Sequence, residues 1–235
     1  RIDQIPKLMK DSLLAVEDTR FYSHNGVDPI GVVRAALANL TGGRTQGAST
    51  ITQQVARTFF LNRSKTWDRK FKEALLSFKI ESQLSKDQVL ELYMNQIYLG
   101  GRAYGFEAAA QTYFGKTLAA LSPAECAMLA GLPQNPYFAN PITNLERAKT
   151  RQMVALMRMR SEGVIDEAQY QAARTEKLAI RKAHSVEVHA EYVAEMVRQQ
   201  VYAQYGEMTY TTGLSVTTTL RAAEQQAAYT ALRRT

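Results

Sequence analysis

Helix starts and stops are written so densely into the first three quarters of this 235-residue chain that a sheet has little room there. Pro6 precedes a run over Lys7–Glu17. Asp28 followed by Pro29 sets an N-cap and a first helical position for Ile30–Leu40, which Thr41-Gly42-Gly43 stops. Trp67–Leu84 repeats apolar residues at Phe71, Leu75 and Phe78, a helical period. Ser85 with Gln88 three residues on has the form of a capping box for Lys86–Tyr98. Gly100-Gly101 and Gly105 break the chain before Phe106–Phe114, and Gly115 suits the left-handed residue just past a helix end. Ser122-Pro123 opens another helix, and Pro133, Pro136 and Pro141 punctuate the segment after it. Asn144–Glu162 ends at Gly163, and Asp166 with Gln169 caps one more.

The pattern shifts near residue 180. Glu191–Tyr205 is amphipathic and tyrosine-bearing, Arg221–Arg234 reads as a helix, and Leu214–Leu220 alternates with β-branched residues as a strand does. The expectation is a mainly α domain over 1–180, followed over 181–235 by a short α/β fragment. No internal repeat appears.

Hydrophobic residues at 46% against 22% charged suffice for a real core. Lys and Arg number 29 against 22 Asp and Glu, a net charge of +7 that suits a phosphate-bearing ligand, nucleic acid or an anionic membrane face. There is no zinc-finger spacing and no basic run interleaved with aromatics, so nucleic acid is not an expected partner. Cys126 is the one cysteine, which excludes an internal disulfide framework and reads as a packed thiol. No stretch approaches the ~20 apolar residues of a membrane span. The chain begins at Arg1 without Met, so it reads as a fragment whose anchor lies elsewhere.

Two blocks carry chemistry. Glu17-Asp18-Thr19-Arg20-Phe21-Tyr22-Ser23-His24-Asn25-Gly26 opens on paired carboxylates, and Gly47-Ala48-Ser49-Thr50-Ile51-Thr52-Gln53-Gln54 reads as a polar, glycine-led turn. A carboxylate can take the proton of a sugar hydroxyl, and such a turn offers N–H groups and amides to an anionic or hydroxylated substrate. A third cluster, Arg69-Lys70-Phe71-Lys72-Glu73, lies on a predicted helix. Arg69, Lys70, Glu73 and Ser77 share its face opposite Phe71, Leu75 and Phe78. Taken alone, Arg69 and Glu73 would be an exposed ion pair worth little.

In order, these blocks resemble the first three motifs of the bacterial peptidoglycan glycosyltransferases, the lysozyme-like domains of bifunctional class A penicillin-binding proteins. Tyr93-Met94-Asn95-Gln96-Ile97-Tyr98-Leu99-Gly100, with Lys86, Gly105 and Tyr113-Phe114, resembles the fourth, and Glu125–Pro133 the fifth. The resemblance implies polymerisation of lipid II: the GlcNAc 4-hydroxyl of the acceptor attacks C1 of the donor MurNAc with inversion, and polyprenyl pyrophosphate leaves. It implies Glu17 as catalytic base and Glu73 as the second functional carboxylate. Asp18 orients the loop and counts with Ser49, Thr50, Gln53, Gln54, Arg57, Arg69 and Lys70 as substrate-binding. His24 is expected to be structural. Arg57 stands where the family usually has Lys, which keeps the charge but exchanges a point cation for a planar fork.

The resemblance implies no obligatory cofactor, with a divalent cation (Mg or Mn) at the pyrophosphate as an option that Glu73 would help organise. It implies as partners lipid II, the growing glycan strand, membrane lipid, cell-wall synthesis proteins and a moenomycin-type inhibitor. The location implied is the extracytoplasmic face of the bacterial inner membrane. Ile30–Leu40 and Phe59-Phe60-Leu61 are open to two readings, core or bilayer contact. Thr41–Gly47, with three glycines and no large apolar residue, is expected to be a mobile loop at the site mouth. Tyr210–Leu220 with Gln225-Gln226-Ala227-Ala228 resembles the lead-in to a transpeptidase domain, departing from it at Arg221, where Asp is common. The Ser-x-x-Lys nucleophile of such a domain is absent from this sequence. The alternative is a lysozyme-like peptidoglycan hydrolase, for which an Arg57/Arg69/Lys70 cluster has no use.

Overall fold

The computed structural model describes residues 1–40, 49–61, 67–181, 189–211 and 214–233, without the side chains of Asn39, Trp67 and Thr211. The expected mobile loop at 41–47 lies outside the described residues. The chain divides into two compact units, Arg1–Lys182 and Ala183–Thr235.

The first unit is helical: α1 (Lys7–Glu17), α2 (Pro29–Leu40), α3 (Ile51–Phe60), α4 (Trp67–Glu81), α5 (Lys86–Gln96), α6 (Phe106–Phe114), α7 (Pro123–Ala130), α8 (Leu145–Ser161) and α9 (Glu167–Thr175). Capping boxes close the starts of α3, α5, α7 and α9 through Thr50–Gln53, Ser85–Gln88, Ser122–Glu125 and Asp166–Gln169. Gly115 ends α6 in the left-handed conformation.

α7 is the centre of the unit, packed against α1, α6, α8 and α9. Its small residues let the neighbours come close, and every residue from Ala124 to Ala130 is buried. Cys126 is among them, and burial pushes its thiol up to about 12, so it behaves as a packed hydrophobe. The buried Glu125 is satisfied by Lys116 Nζ at 2.7 and 2.9 Å and by the Ser122 N–H at 2.9 Å. A second group forms where α3 packs on α4 and α5.

Gly47–Gln54 is not a turn throughout: from Ile51 it is the first turns of α3. Thr50-Ile51-Thr52-Gln53 carries the same start signature as the other capping boxes, and the side-chain–backbone bonds of that box win over turn chemistry.

α2, the end of α3 and α4 turn their large apolar residues outward. On α2, Gly31 and Ala35 are buried while Ile30, Val33, Leu37 and Leu40 are exposed. Phe59 and Phe60 are exposed as well, so neither segment is core. On α4, Phe71, Leu75 and Phe78 are exposed at 65, 53 and 51%, whereas Glu73 and Ser77 are fully buried. The cause is a close approach. Gly26 has φ +75°, and a Cβ there would lie 2.8 Å from the Ser77 carbonyl carbon, so the loop after α1 lies directly on the polar face of α4.

The second unit holds α10 (Glu191–Tyr205), α11 (Met208–Thr211) and α12 (Ala222–Arg233). The His189 ring stacks on Tyr229 with centroids 3.7 Å apart. The strand expected over Leu214–Leu220 is absent. Among the described residues there are isolated bridges at Asn25–Val27 and Tyr98–Tyr104 but no ladder, and Leu214, Val216 and Leu220 are exposed. Alternation supplies a face for a sheet, but a strand exists only where a neighbour pairs with it. No described helix is long and apolar enough to cross a membrane.

Candidate active site

Glu17 is the last residue of α1, half-buried beside a cavity of about 270 Å³. Burial pushes its carboxyl above the ordinary value, while the hydrogen bond from Gln54 and the charges of Arg151 and Arg158 pull the other way. Gln54 Nε2 donates to Glu17 Oε2 at 2.8 Å, and Gln54 Oε1 accepts from the Tyr93 hydroxyl at 3.0 Å. α3 and α5 thus supply a continuous line of hydrogen bonds behind the carboxylate.

Asp18 is buried and fully engaged. His24 Nε2 lies 3.0 and 3.1 Å from its two oxygens, and the Ile51 N–H donates to Oδ2 at 2.9 Å. Its charge meets the positive start of α3, and the His24 contact pins the loop to that same point. Thr50 Oγ1 donates to the Gly26 carbonyl at 2.5 Å and accepts from the Gln53 N–H, while Gln53 Oε1 accepts from the Thr50 N–H. The hydrogen-bonding capacity of Thr50 and Gln53 is therefore spent largely on holding α3 and the first-motif loop together.

Lys70 Nζ donates to Ser49 Oγ and to Glu73 Oε2, both at 2.8 Å, and Arg69 Nη1 is 3.4 Å from Glu73 Oε1. Glu73 is fully buried, with its two oxygens facing the two cations, whereas the Lys70 side chain is 41% exposed. The arrangement is a buried anion holding cations at a surface. Ser49 belongs both to this cluster and to the wall of the Glu17 cavity, which joins the two. Arg57 sits on α3, close enough to Tyr93 for its charge to bear on the phenol.

Apart from the helix-capping Asp28, three charged cavity residues lie outside the expected site: Arg34 on α2, Arg158 on α8 and Glu162 just beyond it. Arg158 Nη1 donates to the Val16 carbonyl, one of the last-turn carbonyls of α1 that would otherwise lack a partner. The basic last turn of α8 is visible in the sequence, but its approach to Glu17 across 141 positions is set by packing alone. Among the described residues no three His, Cys, Asp or Glu side chains gather as metal ligands. Glu73, occupied by Lys70 and Arg69, does not fit a hard divalent ion that needs several oxygens.

Residues 1–160 match the family model described as transglycosylase. The chain belongs to the transglycosylase family. Glu17, the Lys70–Glu73 cluster and the α7 hub all fall inside the matched span of this transglycosylase domain. Penicillin-binding protein 1A of Neisseria flavescens is 52% identical over all of this chain, and that of Escherichia coli strain K12 is 50% identical over 99% of it. The chain spans 30% and 28% of the length of those relatives. A 2.6 Å crystal structure of Penicillin-binding protein 1A from Haemophilus influenzae matches 88% of this chain and 21% of its own, at 30% identity and a TM-score of 0.53. Transglycosylase membership and these relatives support the enzyme class that the motifs imply, peptidoglycan glycosyltransferase.

Proposed function

We propose that this transglycosylase domain lengthens glycan strands from lipid II at the cavity beside Glu17. The observation that carries the reading is the pairing of a shielded, hydrogen-bonded carboxylate with a cation cluster that shares Ser49 with its cavity. Glu17 takes the proton of the acceptor GlcNAc 4-hydroxyl as the bond from that oxygen to donor C1 forms. The bond from C1 to the pyrophosphate oxygen breaks with inversion, and polyprenyl pyrophosphate departs with the electron pair. Burial that raises the affinity of Glu17 for a proton makes it a stronger base than a solvated carboxylate.

Lys70, with Arg69 and Arg57 on adjoining helices, receives the charge that develops on the leaving pyrophosphate. Glu73 works behind them, holding Lys70 and Arg69 in place. The outward apolar residues of α2, α3 and α4 suit contact with the membrane in which a polyprenyl substrate lies, at the extracytoplasmic face of the inner membrane. The growing strand, cell-wall synthesis proteins and a moenomycin-type inhibitor are the further partners this reading carries.

The test is polymerisation of lipid II by the chain beside its Glu17→Gln variant, with finished peptidoglycan offered in parallel. Polymer from the parent and a turnover cut by ~10²–10⁴ in the variant is the expected result. Cleavage of finished peptidoglycan with no polymer from lipid II would overturn the reading in favour of a hydrolase.

A further inference from the structure

Tyr93 lies on α5, 2% exposed, with its hydroxyl turned to a side chain that itself contacts Glu17. An amide can present either its N–H₂ or its oxygen, and the choice here has consequences. An ionised Glu17 can only accept, so Gln54 must aim Nε2 at it, which leaves Gln54 Oε1 facing Tyr93. Tyr93 must then be the donor. Burial keeps its phenol protonated, with Glu17 and Asp18 adding to the effect and Arg57 opposing it. Gln54 is 6% exposed, so solvent is poorly placed to replace a missing hydroxyl.

We infer that Tyr93 is a positioning residue for the base: through Gln54 it locks the amide that donates to Glu17 Oε2, and so leaves Oε1 to the acceptor hydroxyl. The inference rests on the proposed role of Glu17 as base. Without the Tyr93 hydroxyl, the Gln54 amide loses one of the two contacts that fix its orientation and keeps only the one to Glu17. Turned over, it sets a carbonyl oxygen against the carboxylate, a contact that only protonated Glu17 satisfies. The base is then held in its inactive form at pH values where it should be free. The charged groups bearing on Glu17 are Arg151 and Arg158 from α8 and its neighbour Asp18, and none of them is altered by changing Tyr93.

The experiment is the pH profile of lipid II turnover for the full chain and for Tyr93→Phe, which removes one oxygen and keeps the ring. The acid limb should move up by roughly one pH unit, a tenfold loss of turnover below the limb that recovers on the alkaline side. KM should change little. Gln54→Leu should move the limb the same way, and adding Tyr93→Phe to it should do no more, because the hydroxyl acts only through the amide.

A folded Tyr93→Phe whose acid limb coincides with the parent's overturns the inference, as do losses that multiply in the double variant. Should Tyr93→Phe not fold, an unmoved limb in Gln54→Leu overturns it equally. Glu17→Gln separates the two levels. Turnover retained in that variant defeats the role of Glu17 itself, whereas turnover lost there with an unmoved Tyr93→Phe profile defeats only the positioning by Tyr93.

Discussion

Glu17 stands at the carboxyl end of a helix and under a shell of protein, and both disfavour its charge. Its folded affinity for protons lies above the ordinary carboxylate value of 4.5, so between the unfolded and folded values the native state binds more protons. The contribution of this group to stability therefore falls as pH rises through that window. Glu17→Gln removes the charge and keeps the shape. It should melt higher than the parent at neutral pH, and the gap should close as pH drops below the ordinary carboxylate value; thermal melts at both ends check this. The same change should cut lipid II turnover by ~10²–10⁴, the usual worth of a general base, while binding of lipid II persists. At the other cluster, Lys70→Ala and Arg69→Ala should slow transfer from lipid II and leave untouched a truncated sugar substrate that lacks pyrophosphate. Equal losses on both substrates would remove the two cations from the leaving-group site.

α4 shows what helical period can and cannot say. Phe71, Leu75 and Phe78 mark it as a helix, and it is one, but the stripe faces away from the protein. The buried face is marked by contacts from outside the helix, the Gly26 backbone against Ser77 and Ser49 against Lys70, because the Glu73 pairs with Lys70 and Arg69 lie within α4 and would form whichever face is buried. Polar replacements at Phe71, Leu75 and Phe78 should each change stability within about 0.5 kcal/mol, as exposed sites do, yet lower the binding of the chain to anionic vesicles. Unaltered vesicle binding in the triple variant would remove α4 from the membrane contact. α3 gives the opposite lesson, since its start signal is local and complete in Thr50–Gln53. Thr50→Ala should cost about 1 kcal/mol for the cap and loosen the first-motif loop through the lost bond to the Gly26 carbonyl, measurable as lower stability to denaturant and faster exchange of the Ile51 and Gln53 amides.

At the scale of the whole molecule, the buried hydrophobic core runs from Ile5 to Ala173, all within the first unit. α10 and α12 in the second unit bury no residue. A fragment of residues 1–182 should therefore fold cooperatively, with the helical circular dichroism and melting behaviour of the parent. A fragment of 183–235 should show no sharp transition, because it has too little core to offset chain entropy. A well-defined melt from the shorter fragment would contradict this.

The sequence by itself determined the helices, most of their ends and the family motifs, because caps, breakers and periodicity act over three or four residues. His24 as a structural partner was legible too, and it pairs with Asp18. What the tertiary structure alone decided was orientation and company. It settled which face of α4 is buried, that Thr50 ties α3 to the first-motif loop through the Gly26 carbonyl, and that Arg158 reaches the end of α1. It also decided that Tyr93 stands behind Gln54, and that Leu214–Leu220 has no strand to pair with among the described residues. These depend on contacts between positions tens of residues apart, whose energies come from burial and charge pairing once the chain has closed on itself. Local pattern carries no record of them.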